Sequence, residues 1–224
     1  MQIQLVVFDI AGTTVADPGL VELAFLGALH STGRLMEPAQ VREWMGYAKP
    51  EAIAQLLGVG ADSPLVASVH AEFVARMRVS LEQDPRVQPL PGAEAVFARL
   101  RRAGVQVALN TGFCTHLTAA LLRRLQWEAL IDTWVASDQV GAARPAPDMI
   151  QLLMQRCGIV DPASVAKVGD TPVDIAEARA AGVGLCVAVA SGAHGQAELS
   201  ALGPDYVINA LDALPALLGL PQTA

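Results

Sequence analysis

Three carboxylates, an arginine and a threonine fall where apolar stretches of the chain give way to polar loops. Leu5, Val6, Val7 and Phe8 form an unbroken apolar run, followed at once by Asp9, Ile10, Ala11, Gly12, Thr13 and Thr14. Such a run reads as a strand buried on both faces, as in a parallel sheet. A carboxylate at the carboxyl end of that strand lies where open α/β sheets bind their ligands. It serves there either as a turn cap or as a nucleophile or metal ligand beside amides that face an anion. That stretch alone leaves both readings open. Asn110, Thr111 and Gly112 end a second apolar run, and Gly169, Asp170, Thr171 and Pro172 end another, with Asp174 one helical turn beyond. Arg144 lies in a loop after a further short strand.

Brought together, these groups suit phosphoryl chemistry. Asp9 and Asp170 offer the hard oxygens that Mg²⁺ prefers, and such a metal screens the charge of a phosphoryl group from an attacking carboxylate. Arg144, fork-shaped and always charged, suits phosphoryl oxygens, and Thr111 and the Gly112 amide would donate to the same oxygens. Each residue also has an ordinary role. Asp170 and Asp174 suit a helix N-terminus, Thr111–Gly112 suits a turn, and Arg144 suits a surface. Only their joint placement at strand ends favours a site.

Positioning them requires a parallel sheet. From Gly92 onward the pattern alternates: helix 93–103, strand 105–109, helix 116–126, strand 133–136, helix 147–157, strand 165–168, helix 173–181, strand 185–190 and a last short strand 206–208. Alternation of this kind gives a Rossmann-like α/β sheet with right-handed crossovers and helices on both faces. Residues from about Pro18 to Gln83 read instead as helices: one from Val21 to Leu29, one from Pro38 through Trp44, one from Glu51 to Leu57, and one starting at Ser63–Pro64. The expected organisation is therefore a core formed by 1–16 and 89–224, with an all-helical insertion, 17–88, covering the strand ends.

Composition narrows the class. The 224 residues carry a net charge of −7 and no Lys/Arg run, which argues against a nucleic-acid partner. No apolar run is long enough to span a bilayer. The N-terminus lacks the basic leader of a signal peptide. Cys114, Cys157 and Cys186 are few and widely spaced, with neither a disulfide nor a zinc pattern. A cytoplasmic location is expected.

Taken as a set, Asp9-Ile10-Ala11-Gly12-Thr13, Asn110-Thr111-Gly112, Arg144-Pro145 and Gly169-Asp170-Thr171-Pro172-Val173-Asp174 resemble the motifs of the haloacid dehalogenase superfamily. The resemblance covers the whole chain, including a helical cap after the first motif. It implies that Asp9 attacks phosphorus to form an aspartyl-phosphate. It further implies that Mg²⁺ is held by Asp9, the Ala11 carbonyl and Asp170, supported by Asp174, and that Ala11, Gly12, Thr13 and Gly112 meet the substrate. Most phosphatases of that superfamily carry a general-acid Asp two residues after the nucleophile and a Lys in the third motif. This chain has Ala11 and Arg144 there. Both departures are similar to phosphonatase (phosphonoacetaldehyde hydrolase) and its relatives, as is Met45-Gly46-Tyr47-Ala48-Lys49 in the cap. By that resemblance Lys49 forms a Schiff base with the substrate carbonyl, Met45 is its neighbour, and a homodimer through the cap is implied.

The pairing of Ala11 with Lys49 is chemically coherent. Breaking a C–P bond by attack at phosphorus expels a carbanion, so no leaving oxygen needs a proton. An electron sink is needed instead, and an iminium supplies one. Pro50 disfavours helix at Lys49, which predicts Lys49 in a loop, with Met45 and Tyr47 as the apolar lid that lowers its pKa. The alternatives are a solvated loop lysine, or a phosphomonoesterase in which Lys49 only recognises charge. Phosphonatase also has a histidine three residues past the lysine, where this chain has Ala52. Glu51, Tyr47, a water, His30 or His116 is the expected substitute.

Overall fold

The computed structural model describes residues 2–220. Six parallel strands form one sheet: β1 (Leu5–Phe8), β2 (Gln106–Thr111), β3 (Thr133–Ala136), β4 (Val165–Gly169), β5 (Leu185–Val189) and β6 (Tyr206–Ile208), in the order β3-β2-β1-β4-β5-β6. The strand order reverses direction at β1, the place where an open α/β sheet leaves a crevice beyond its carboxyl ends. Register aims three motifs into that crevice. Phe8 lies beside Leu109 on one side and Val168 on the other, so Asp9, Asn110 and Gly169 follow at one level.

Helices cover both faces, as the alternation predicts. Val6, Phe8, Val107 and Leu109 pack against α5 (Ala93–Arg102) and α6 (Thr115–Leu125). Ring contacts run from Phe8 to Phe97 at 5.3 Å and on to Trp127 at 5.1 Å. Leu5, Val7, Ala108 and Val135 pack on the opposite side against α7 (Asp148–Cys157). There α8 (Pro172–Ala181) and the short α9 (Gln196–Ala201) cover β5 through Ile175, Ala178, Ala188 and Leu199. Sequence pattern does not predict α9 or the C-terminal α10 (Leu214–Leu217), since each is too short to show a helical period.

Between β1 and α5 the chain forms four helices: α1 (Leu20–His30), α2 (Pro38–Arg42), α3 (Lys49–Leu57) and α4 (Pro64–Gln83). The chain leaves and returns side by side, through Ala16 N–H to Gln88 O at 3.0 Å and Leu90 N–H to Thr14 O at 2.8 Å. Phe25 of α1 meets Phe73 of α4 with ring centroids 4.8 Å apart. The apolar interior of this block is continuous with Phe113, Leu117 and Leu121 beneath it.

Two local expectations are corrected. The helix from Pro38 ends at Arg42 and does not reach Trp44. Lys49 is not in a loop but is the first residue of α3. Pro50 is compatible with this because the first turn of a helix has no use for its missing N–H, and Ala48, at φ −57° and ψ 134°, takes the extended conformation instead. Among the described residues, no helix is long and apolar enough to cross a membrane.

Candidate active site

The crevice at the carboxyl end of β1 holds a buried network of opposite charges. Carboxylate oxygens of Asp9, Asp170 and Asp174 lie within 4.8 Å of one another, and all three residues are buried. Arg144 reaches in from the loop before α7, and its Nη1 donates to Asp9 Oδ1 at 2.6 Å and Asp174 Oδ1 at 2.5 Å. Behind Asp174 stands Lys167 of β4, whose Nζ is 3.0 Å from Asp174 Oδ1 and 3.2 Å from Glu177 Oε2. Asn110 bridges the pair, accepting from Lys167 at 2.6 Å and donating to Glu177 at 2.7 Å. The capping box of α8 holds Asp174 in turn, since its Oδ2 accepts from the Thr171 hydroxyl at 2.6 Å. Asp170 accepts from the Thr13 hydroxyl at 2.8 Å and from the Ala193 amide at 2.9 Å.

Burial and charge set the protonation. Burial would raise Asp174, but Lys167 and Arg144 outweigh it and hold the carboxyl below its usual range. Burial raises Asp9 against the pull of Arg144. Asp170 is pushed up to about 8, by burial first and then by Asp9 and Asp174. Arg144 stays charged, because Asp9 and Asp174 overcome the cost of its burial. Four acids, Asp9, Asp170, Asp174 and Glu177, crowd against only two cations, Arg144 and Lys167, and that crowding is part of what drives Asp170 towards its neutral form. The excess of acids over cations and the all-oxygen donor set fit a hard divalent cation, whose charge would let these carboxylates ionise together. The close cradle fits too: a Cβ at Gly12 would meet Asp170 Oδ2 at 2.5 Å, and one at Gly192 would meet it at 1.8 Å.

Above the acids lies a cavity of about 270 Å³, lined among others by Asp9, Ala11, Gly12, Met45, Lys49 and Thr111. Lys49 is 3 % exposed. Its ammonium sits over the rings of Phe25 and Phe113, at 5.2 and 5.5 Å from their centroids, and donates to the Tyr47 carbonyl at 3.2 Å. Burial, reinforced by Arg144, lowers its pKa to about 8, against the opposing pull of Asp9 and Asp17. The Tyr47 half of the expected lid is corrected: Met45 lines the cavity beside Lys49, but the rings over the ammonium are Phe25 and Phe113, while the Tyr47 ring packs on Trp44 at 5.1 Å. Two glycines let the α2–α3 loop settle on the sheet edge. A Cβ at Gly112 would come 2.3 Å from Tyr47 O, and one at Gly46, whose φ is +86°, would come 2.6 Å from Thr171 Oγ1.

The structure gathers Asp9, Ala11, Gly12, Met45, Lys49, Thr111, Gly112, Arg144 and Asp170 around one cavity. Thr13 and Asp174 stand behind it, with their side chains engaged by Asp170 and by Arg144 and Lys167. Sequence reasoning missed Lys167, Glu177, Phe25, Phe113 and Asp17. A trace of Lys167 was available: it is a lone charge within Val165, Ala166, Val168 and Gly169, in a strand that the topology buries on both faces.

Comparisons with known proteins bear on the family and the fold. The chain is 31 % identical to the phosphonoacetaldehyde hydrolase of Latilactobacillus sakei subsp. sakei (strain 23K), over 99 % of this chain and 97 % of the relative. It is 30 % identical to a plasmid-borne phosphoglycolate phosphatase of Cupriavidus necator, over 95 % and 92 % of the two chains. The fold superimposes on the crystal structure of a phosphonoacetaldehyde hydrolase-like protein from Oleispira antarctica with a TM-score of 0.83 at 23 % identity, covering 98 % and 92 % of the chains. Residues 3–182 match the haloacid dehalogenase-like hydrolase family model, and the chain belongs to that family of hydrolases.

Proposed function

We propose that this hydrolase cleaves the C–P bond of a small 2-oxoalkylphosphonate, with phosphonoacetaldehyde as the type substrate. Lys49 carries the reading: an amine with a pKa near 8 shares one cavity with Asp9, while the position two residues past Asp9 is Ala11 and offers no acid. In this reading Arg144 and Thr111 hold the phosphonate oxygens, helped by the Gly112 and Ala11 amides, while the Gly12 and Thr13 amides, spent on the Val15 and Ile10 carbonyls, shape the loop rather than meet the substrate. The neutral Lys49 amine adds to the carbonyl carbon, water leaves, and an iminium forms two atoms from phosphorus. Asp9 then attacks phosphorus, and the C–P electron pair moves into the iminium to give an enamine. Met45 and the Phe25 and Phe113 rings keep water from the amine. Mg²⁺ is the expected cofactor. Asp9, the Ala11 carbonyl, Asp170 and Asp174 would hold it, and it would neutralise charge between the phosphonate and the attacking carboxylate. The segment 17–88 acts as a cap on the core formed by 1–16 and 89–224, a homodimer forms through the cap, and the enzyme is cytoplasmic.

Borohydride reduction in the presence of phosphonoacetaldehyde tests this. The expected result is a stable mass adduct on Lys49, together with phosphate release from that substrate in preference to a panel of phosphate esters. Release from esters alone, with no adduct, overturns it. A second reading, a phosphomonoesterase that uses Lys49 only to recognise charge, is favoured by Ala52: that position is fully buried and presents no proton carrier. The phosphatase relative at similar identity points the same way. Lys49→Arg separates the two, since a recognition charge partly survives the exchange and imine formation does not.

A further inference from the structure

Imine chemistry at Lys49 needs a group that moves protons, because the amine must lose one before it adds and the departing hydroxyl must gain one. The five substitutes that the sequence suggests do not include a side chain in this cavity. Glu51 lines a different cleft, shared with His70, Cys114 and Asp138. His30 and His116 are exposed on α1 and α6. Tyr47 gives Lys49 its main-chain carbonyl and turns its ring to Trp44.

Four carboxylates do line the cavity: Asp9, Asp17, Glu22 and Asp170. Asp9 and Asp170 belong to the acid cluster. Glu22 is paired with Arg42 at 3.5 Å, and the Arg42 side chain is 56 % exposed. Asp17 remains. Its Oδ1 accepts from the amides of Leu20 at 2.8 Å and Val21 at 3.3 Å, which fixes the carboxylate at the start of α1. A carboxylate has about four lone-pair sites, so these two amides do not exhaust it. Asp17 and Lys49 line the same cavity without a direct ion pair, each favours the other's charged form, and burial raises Asp17 above the usual carboxylate range.

Resting on the imine reading, we infer that Asp17 is the general acid–base partner of Lys49. Ammonium and carboxylate together hold one transferable proton. Moving it from Nζ to the Asp17 carboxylate across water in the shared cavity creates both reactive forms at once. The Nζ lone pair then forms the N–C bond while the C=O π pair moves onto oxygen. Asp17 gives its proton to that oxygen and takes one from nitrogen, leaving a neutral carbinolamine. It donates again as the C–O bond breaks, so water departs, the nitrogen lone pair forms C=N⁺, and a carboxylate stands beside the new cation.

Asp17→Asn keeps a side-chain oxygen that can accept from the Leu20 and Val21 amides, but it removes the transferable proton. The experiment follows the rate of borohydride trapping of Lys49 by phosphonoacetaldehyde across pH. Beryllofluoride binding at Asp9 with Mg²⁺ confirms that the variant is folded. Besides Asp17 and Lys49, the charged groups on this cavity are Asp9, Glu22, Arg42, Arg144 and Asp170, and all are retained. Wild-type trapping is expected to rise and then fall with pH, because the shared-proton form disappears above the Lys49 pKa of about 8. The variant is expected to trap roughly 100-fold more slowly or worse and to lose the alkaline fall. Equal rates, or a slower rate with an unchanged pH profile, overturn the assignment. No adduct in the wild-type protein removes the imine reading itself, and the role of Asp17 with it.

Discussion

Lys49→Met should make this protein more stable, and the gain should depend on pH. The native environment lowers the Lys49 pKa from 10.5 to about 8, so the folded protein binds this proton more weakly than the unfolded chain does. A shift of about 2.5 units is a penalty of about 3 kcal/mol on the charged form. The sign follows from linkage. Between pH 8 and 10.5 the unfolded state holds more of the proton, so wild-type stability rises with pH there, and below 8 the whole penalty is present. Methionine has similar length and bears no charge, and the pocket already presents Phe25 and Phe113. The variant should therefore gain up to about 3 kcal/mol at pH 7, less about 1 kcal/mol for the lost contact with the Tyr47 carbonyl. Its advantage should shrink by about 1.4 kcal/mol per pH unit above 8. Urea unfolding at pH 7 and 9.5, with the slopes compared to confirm two-state behaviour, measures both quantities. A variant no more stable than wild type at pH 7, or a difference that stays flat between the two pH values, would refute the claim that burial holds this amine partly neutral.

The remaining predictions concern the network and its covering loop. Lys167→Met leaves Asp174 and Glu177 buried without their shared cation and should cost about 3–5 kcal/mol in a denaturant titration. Gly112→Ala places a methyl 2.3 Å from Tyr47 O. It should lift the α2–α3 loop, lowering kcat/KM at least tenfold with a melting temperature nearly unchanged. Mg²⁺ should raise the melting temperature, with about 2.7 kcal/mol of stabilisation at one hundred times its dissociation constant. Asp170→Asn should abolish that rise, since it removes one of the three clustered acids.

The α/β class was legible because four consecutive apolar residues, and the strand–helix alternation after Gly92, have few other solutions. Helix α4 was legible to the residue, since Ser63 and Pro64 mark its start as an N-cap and first turn. Asp9, Asn110 and Gly169 were legible as one group because a parallel sheet aligns the carboxyl ends of its strands. Ala11 and Lys49 acquired meaning only together, as an acid withheld and an amine supplied.

What the linear chain by itself determined is the list of reactive groups and the sheet edge where they meet. Tertiary structure alone decided how those groups are charged. Lys167 is neutralised by residues 7 and 10 positions away and is held by Asn110, 57 positions away. Lys49 is desolvated by rings from α1 and from the turn after β2, and Asp17 shares its cavity only because α1 begins at the cavity wall. The physical reason is that a pKa depends on the polarity and charge within a few ångströms in space, and neighbours in space are set by packing, not by spacing along the chain.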